Sequence, residues 1–473
     1  MIDVLSNSPA HAVWEHFVRI SQVPRPSGHE ERIRHHLLAI AEHNSWAAQQ
    51  DETGNIVLRV PGRGTLAEAL PLVLQGHMDM VCEKNADTTH DFMNDPITML
   101  QDGDWIAADG TTLGSDNGVG VALALAVAES AIPDRVPLEL LITVDEERGL
   151  TGAFQCDASM LTGRTIINLD SEEDGVFIIG CAGGTDWTIS ADKIARESSE
   201  TGWRCTVSGL RGGHSGVDID KKRVNAIRLA ARVADQLLTE HPEAGVSEFS
   251  GGNAMNAIPR ECSFVIHGCE DKIVRRVATA AVAGVMPEEA GAACDVVEAE
   301  CASCAVDRAL IKFLATTPNG VLAMDPNYLE HVQSSSNLGV VTDNGATLSV
   351  QFMARSTLDA ERHAVRDQVR SAAGAFDGQI TFGCDFPGWS PNPESKILQL
   401  GIGAYRDLFS VEPAVQSIHA GLECGIIGGK LGIDEMLSFG PTIEGAHSPA
   451  ERINIKSVEQ IYHLLSAVVA RDC

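Results

Sequence analysis

The run Pro71-Leu72-Val73-Leu74-Gln75-Gly76-His77-Met78-Asp79-Met80-Val81 decides how this chain is read. Pro71 to Gln75 has the texture of a short buried strand, and Gly76 then delivers a His-x-Asp pair at its end. In extended backbone His77 and Asp79 point the same way, so the imidazole can ligate a metal while the carboxylate fixes its orientation. By itself the pair also suits a solvated loop histidine beside a capping aspartate. Four downstream clusters give it weight: Gly114-Ser115-Asp116-Asn117-Gly118, Asp145-Glu146-Glu147, Asn168-Leu169-Asp170 and Gly445-Ala446-His447-Ser448-Pro449. Each lies at or just beyond the end of an apolar run. Together they supply two imidazoles and several carboxylates, the donor mix of a pair of zinc-like ions.

The surrounding pattern alternates strands with helices. A turn at Pro24-Arg25-Pro26-Ser27-Gly28 precedes a helical stretch to Ala41, and 55–60 reads as a strand. A Gly-rich loop at 110–120 enters an alanine-rich helix over 119–130. Buried strands over 136–144 and 165–169 end on the acidic clusters. This order predicts an α/β sheet buried on both faces, with functional groups in the crevice beyond the strand ends. After Cys181-Ala182-Gly183-Gly184 the texture changes to period-two strands carrying Trp187, Ile189, Trp203, Cys205 and Val207. Helices follow over 223–240, with Asp218 or Asp220 as N-cap, and over 273–285 and 360–375. The mixture predicts an inserted α+β domain over 184–386, flanked by the two parts of the first domain, 1–183 and 387–473.

Composition narrows the function classes. At 473 residues, two or three domains are expected, and 44% hydrophobic residues with mean hydropathy near zero fit a soluble globular protein. Formal charge is −30, which argues against nucleic acid and anionic membrane surfaces as partners. No apolar run approaches membrane-spanning length, and the first residues lack the basic and apolar regions of a secretory signal, so a cytoplasmic location is expected. Twelve cysteines lack regular spacing, and Cys301-Ala302-Ser303-Cys304 has no second pair, so buried thiols are expected rather than disulfides or a structural zinc site.

The chemistry that the clusters suggest is hydrolytic. A carboxylate held in a glycine turn, as Asp116 is, can bridge two cations, although such turns also serve only as helix caps. Glu146 and Glu147 follow a buried strand and point differently, so one can bind metal while its neighbour accepts a proton from the attacking water. Asp170 is a third strand-end carboxylate, and His447 sits in a loop that gives it little packing reason to be there. His214, between glycines in Arg211-Gly212-Gly213-His214-Ser215-Gly216, can donate a hydrogen bond to an oxyanion. There is no Gly-x-Ser-x-Gly elbow and no recognisable cysteine nucleophile signature.

With these positions in order, the chain resembles the aminoacyl-histidine dipeptidase (Xaa-His dipeptidase) branch of the metallopeptidase family that includes carboxypeptidase G and the aminoacylases. The resemblance covers nearly the whole length. It runs through 76–81, 112–118, 144–150, 212–216 and Asn253-Ala254-Met255-Asn256-Ala257-Ile258-Pro259-Arg260. The wider family often ends the bridging-Asp motif in Lys-Gly; Asp116-Asn117-Gly118 here agrees with the dipeptidase branch. The resemblance implies a zinc-peptidase-like catalytic domain with a mixed central sheet flanked by helices, plus a two-layer lid that also serves dimerisation. His77, Asp116 and Asp170 would hold one metal and Asp116, Glu147 and His447 the other, with Glu146 as general base and Asp79 orienting His77. It further implies that His214, Asn256 and Arg355 bind the substrate's carboxylate and scissile carbonyl, with His214 able to act across a homodimer. Gly421 and Glu423, in His419-Ala420-Gly421-Leu422-Glu423-Cys424, would lie near the substrate's amine. Two Zn²⁺ per subunit are implied, with Co²⁺ or Mn²⁺ as substitutes, and a small peptide as substrate. The expected activity is hydrolysis of Xaa-His dipeptides, β-alanyl-histidine among the candidates. An N-acyl amino acid deacylase or tripeptidase is the near alternative, and a non-catalytic peptide-binding protein the distant one.

Overall fold

The computed structural model describes residues 3–195, 201–286, 288–302, 304–326 and 331–472. They fall into two compact units, Met1–Gly180 with Pro391–Ser417 and Leu422–Cys473, and Cys181–Ser390 with Ile418–Gly421. The borders lie a few residues from those expected. The short segment 418–421 belongs with the second unit, because the Ala182 N–H donates to the Ile418 and Ala420 carbonyls at 3.0 and 3.1 Å. Among the described residues no helix is long and apolar enough to cross a membrane, and no disulfide joins the described cysteines.

The first unit is built on an eight-stranded mixed sheet. Its order is Ala47–Gln50, Ile56–Val60, Leu138–Thr143, Leu72–His77, Thr165–Asn168, Glu435–Ser438, Val176–Cys181 and Ala414–Ile418. The four central strands, from Leu138–Thr143 to Glu435–Ser438, run parallel, so their C-terminal ends share one edge. Leu72–His77 and Leu138–Thr143 are buried along their whole length, as a sheet covered on both faces requires. Helix Ser115–Glu129 is apolar on every side, and every residue from Val119 to Ala128 is buried. The element opens at Ser115, but Asp116 and Asn117, joined by a cis peptide bond, take non-helical φ/ψ values, and the regular helix starts close to the expected 119. A separate four-stranded sheet of Met99–Asp102, Trp105–Ala108, Arg452–Asn454 and Ile443–Glu444 makes the His447 segment a hairpin tip rather than an isolated loop.

The second unit is a nine-stranded antiparallel sheet that packs helices Ala226–Glu240, Asp271–Val285, Arg308–Thr316 and Asp359–Ala373 against one core. Strand Gly183–Asp192 shows the pattern directly: Trp187, Ile189 and Ala191 are buried in that core, while Ser190 and Asp192 are exposed. The helix expected from 223 starts at Ala226, and its cap is neither Asp218 nor Asp220. Asn225 accepts from the Arg228 N–H at 3.1 Å and donates to the Leu338 carbonyl at 2.8 Å. Asp218 is engaged instead by the His214 N–H and by Arg223. Replacing Asn225 by Ala removes a buried cap, and the expected loss is about 1 kcal/mol. Calorimetry of the full chain should show a lowered melting transition for Asn225→Ala, and Asn225→Asp, which keeps the acceptor but sets a carboxylate oxygen against the Leu338 carbonyl, should not restore it.

Candidate functional site

The parallel strands of the first unit deliver the candidate residues to one edge. His77 ends its strand; Asp145-Glu146-Glu147 follow Leu138–Thr143, and Asp170 follows Thr165–Asn168. Asp116 arrives from the turn that opens the buried helix, and His447 from the hairpin tip. At the centre stands the Asp116 carboxylate. Its Oδ1 lies 3.0 Å from His77 Nε2, and its Oδ2 lies 2.9 Å from His447 Nε2. Asp170 Oδ1 is 3.4 Å from His77 Nε2, and Glu147 Oε2 is 3.0 Å from His447 Nε2. Glu146 Oε2 stands back at 4.0 Å from His77 Nε2, and its carboxylate accepts no hydrogen bond among the described residues. His447 and Asp145 take φ values of 62° and 51°, in the left-handed region that non-glycine residues seldom occupy and that clusters at functional sites.

Asp79 is fully buried and does two things. Its Oδ1 lies 3.3 Å from His77 Nδ1, the arrangement that orients a ligating imidazole. It also accepts from the backbone N–H groups of Glu146 and Glu147 at 3.1 and 3.3 Å and from Ser27 Oγ at 2.7 Å, so it holds the acidic turn as well. Gly76 is required by close approach, since a Cβ there would fall 2.2 Å from Asn117 Oδ1. Asn117 in turn donates to the Leu169 carbonyl at 2.7 Å and ties the Asp116 turn to the strand end that bears Asp170.

Beneath these residues a buried polar belt crosses the four parallel strands. Ser438 and Asn168 are hydrogen-bonded, Asn168 Nδ2 donates to Gln75 Oε1 at 2.6 Å, and Gln75 Nε2 donates to Glu423 Oε2 at 2.5 Å. Thr143 Oγ1 completes it, donating to the same Glu423 oxygen at 2.6 Å. Glu423 is therefore not positioned as the substrate-amine ligand expected from sequence. Its side chain is 0% exposed, and burial pushes its carboxyl up to about 7 although His77 and Thr143 pull the other way.

The charges of the cluster suit metal ions. Among the described residues no Lys or Arg forms an ion pair with Asp116, Glu146, Glu147 or Asp170, and imidazoles are the only cationic groups within 4.0 Å of their carboxylates. Burying carboxylates without cations is unfavourable. Burial pushes Glu146 well above the usual carboxylate range and Asp170 to about 6, with neighbouring acids adding to it while His77 opposes. Hydrogen bonds to Asp116 and Glu147 hold His447 up at about 11. Burial would lower the His77 ring, but Asp170 and Asp116 raise it well above its ordinary value. Protons on the two rings thus stand where cations would stand. Glu147 Oε1 and Asp170 Oδ1 are buried without hydrogen-bond partners. Two sets, His77–Asp116–Asp170 and Asp116–Glu147–His447, each bring ligand atoms within 4.8 Å of one another and share Asp116. A further acidic group, Glu30–Asp79–Asp145, is less suited, because Glu30 and Asp79 already accept backbone N–H groups.

The second unit gathers a different chemistry. Arg355 is 6% exposed, has no acidic partner among the described residues, and is lowered to about 10 by burial. Two imidazoles feel its charge. His419 is lowered to about 3 by burial and by Arg355, and its Nε2 lies 2.7 Å from Ser335 Oγ. His214 is lowered by burial and by Arg355, and its Nδ1 accepts from the Gly216 and Val217 N–H groups at 3.2 and 3.3 Å. Its proton therefore sits on Nε2, which makes a neutral hydrogen-bond donor. The pairing of His214 with Ala257 brings Asn256 alongside, with the Asn256 carbonyl accepting from Ser215 N at 2.8 Å. Asn256 is exposed and Gly421 half-buried.

Sequence reasoning missed Arg25, Glu451 and Ser335. Arg25 lies in a run that signals only a turn, Glu451 lies just beyond the His447 motif, and Ser335 sits in the featureless Gln333-Ser334-Ser335-Ser336-Asn337. Only a Glu four residues after a candidate ligand offered any signal.

Comparison with known proteins agrees with this geometry. The model of peptidase family M20/M25/M40 matches residues 73–471. The chain is 35% identical to the cytosol non-specific dipeptidase of Escherichia coli K12, covering 98% of each sequence. The crystal structure of aminoacylhistidine dipeptidase from Vibrio alginolyticus superposes with a TM-score of 0.86 at 34% identity, over 98% of this chain and 97% of that one. Aminopeptidase PepT from Bacillus cereus, at 16% identity and a TM-score of 0.59 over 98% of both chains, shares the fold. The chain belongs to peptidase family M20/M25/M40.

Proposed function

We propose that this protein is a metal-dependent dipeptidase that holds two divalent ions, Zn²⁺ by preference, and hydrolyses dipeptides, Xaa-His substrates among them. The observation that carries the reading is the Asp116 carboxylate, whose two oxygens face the imidazoles of two separate ligand sets. The names of its relatives, a non-specific dipeptidase and an aminoacylhistidine dipeptidase, support the substrate class. His77, Asp116 and Asp170 would hold one ion and Asp116, Glu147 and His447 the other. When bound, such ions polarise the scissile carbonyl and make water nucleophilic at neutral pH. Glu146, whose carboxylate is otherwise unengaged, takes the proton of the attacking water on Oε and passes it to the leaving amine. Asp79 keeps His77 in the ligating orientation. In the second unit Arg355 takes the substrate's carboxylate, while His214 donates from Nε2 to the carbonyl oxygen and Asn256 assists it. Gly421 stays a candidate beside the amine; Glu423 supports the strand ends. The protein works in the cytoplasm as a homodimer formed through the second unit, which light scattering would test.

Three outcomes are expected. Chelator-treated protein refilled with Zn²⁺ should contain two ions per chain and cleave dipeptides faster than acetylated amino acids or tripeptides. A preference for either of those classes would replace the dipeptidase reading. Glu146→Gln should retain its metal and lose roughly 10²- to 10⁴-fold in kcat; undiminished turnover would remove Glu146 as the base. Arg355→Met should lower kcat/KM for free dipeptides about 10- to 100-fold, in line with loss of a charge-assisted hydrogen bond. Dipeptide amides, which lack the carboxylate, should be nearly unaffected, and an equal loss on both would argue against carboxylate binding.

A further inference from the structure

The turn that presents Asp116 is gripped from two sides by buried charged residues that the proposed chemistry leaves unused. Glu451, 2% exposed, accepts from the N–H groups of Leu113 and Gly114 through Oε2 at 2.8 and 3.1 Å. Through Oε1 it accepts from Ser115 N at 2.7 Å, Ser115 Oγ at 2.5 Å and, more weakly, Asp116 N at 3.4 Å. On the other side the Arg25 guanidinium, also 2% exposed, donates through Nη1 to the carbonyls of Met78 and Asp79 at 3.1 and 2.7 Å. Its Nη2 donates to the Gly114 carbonyl. Gly114 therefore gives its N–H to Glu451 and its carbonyl to Arg25, and it takes φ 68° to do so. A Cβ there would fall 2.5 Å from the guanidinium and 2.8 Å from the Met80 sulfur, so the turn has no slack in that direction.

The consequence concerns geometry rather than charge supply. Asp116 is the residue common to both ligand sets, so a small rotation of its backbone misplaces both at once. Successive N–H groups facing one carboxylate form a nest that fixes the backbone of a turn, and here the anion filling the nest is a side chain of the protein. Glu451 stands four residues after His447, so the same hairpin tip that bears one ligand also orients another. Arg25 extends the coupling to the segment that follows His77. Three ligand-bearing segments are thereby fixed to one another before any ion arrives.

We propose that Glu451 is a positioning residue for both cation sites, setting the orientation of Asp116 through the amides of residues 113–116. The proposal rests on the two-cation reading above. It is tested by stripping wild-type, Glu451→Gln and Ser115→Ala proteins of metal and titrating Zn²⁺ against a chromophoric chelator. Bound ions are counted by elemental analysis, and the melting of each metal-free protein is recorded. Glu451→Gln turns an amide N–H₂ toward donors and should weaken both Zn²⁺ steps about 10- to 100-fold, with kcat falling more than KM. Ser115→Ala deletes only the hydroxyl donor, so it should fold and weaken both steps in the same direction by a few-fold. It decides the matter should the glutamine variant fail to fold. Wild-type affinity at both steps in the folded variants would overturn the proposal, as would loss at one step only. A lowered melting temperature with unchanged Zn²⁺ affinity would likewise overturn it by showing a merely structural role. Absence of two ions from the wild-type protein would instead remove the two-cation reading, and the positioning role with it.

Discussion

One carboxylate has to face two imidazoles, and much of the first unit is arranged around that constraint. Asp116 does not come from the regular part of a strand or helix. It sits instead in the irregular opening turn of a helix that is buried on all sides. That turn is fastened to the strand end of Asp170 by Asn117 and pressed against Gly76, where no side chain fits. The rings differ in their freedom. His77 is buried at the end of a central strand, whereas the His447 side chain is 53% exposed on a hairpin tip. A rigid ligand and an accessible one thus meet at the shared residue.

The sheet supports this in two ways. Parallel central strands put their C-terminal ends on one edge, which brings His77, the 145–147 turn and Asp170 together without long loops. Immediately below, the Ser438–Asn168–Gln75–Glu423–Thr143 belt replaces apolar packing with hydrogen bonds. A buried network of this kind defines one register for four strands, because a slip of any of them leaves polar groups unpaired. The second unit works with the opposite charge. Its Arg355 is buried without a carboxylate partner among the described residues, and the neighbouring imidazoles are held neutral by burial and by that same charge.

The sequence made the strand ends legible because buried parallel strands are short apolar runs and their polar termini stand out against them. His77, Glu146, Glu147 and Asp170 are visible in that way, whereas Asp116 and His447 stand out by their glycine-flanked turns. Period-two alternation exposed the second unit equally plainly at Trp187, Ile189, Trp203 and Cys205. What stayed hidden depends on contacts between segments far apart in the chain. Glu423 looks like a substrate ligand in its glycine-rich loop, and only its bonds to Gln75 and Thr143 reveal a support beneath the sheet. Arg25 sits between two prolines and reads as part of a turn, yet its guanidinium reaches carbonyls more than fifty residues away. Asn225, and not Asp218, caps the helix because the helix opens only at Ala226, where the Asn225 amide is fixed by the Leu338 carbonyl from a distant strand.

The acidic turn shows how adjacent identical side chains come to differ. Glu146 and Glu147 share a support, since Asp79 accepts the backbone N–H of each. Their side chains nevertheless diverge within a turn in which the Glu146 carbonyl accepts from the Gly149 and Leu150 N–H groups. Glu147 Oε2 approaches His447 at 3.0 Å, whereas Glu146 Oε2 stops 4.0 Å short of His77 and accepts no hydrogen bond. Glu147 is a carboxylate already held by an imidazole. One that is buried among other acids and left unengaged has a raised proton affinity, which is what a base working near neutral pH requires. The support from Asp79 therefore does more than orient His77: by accepting both amides, it fixes the turn from which Glu147 reaches His447 while Glu146 stands apart.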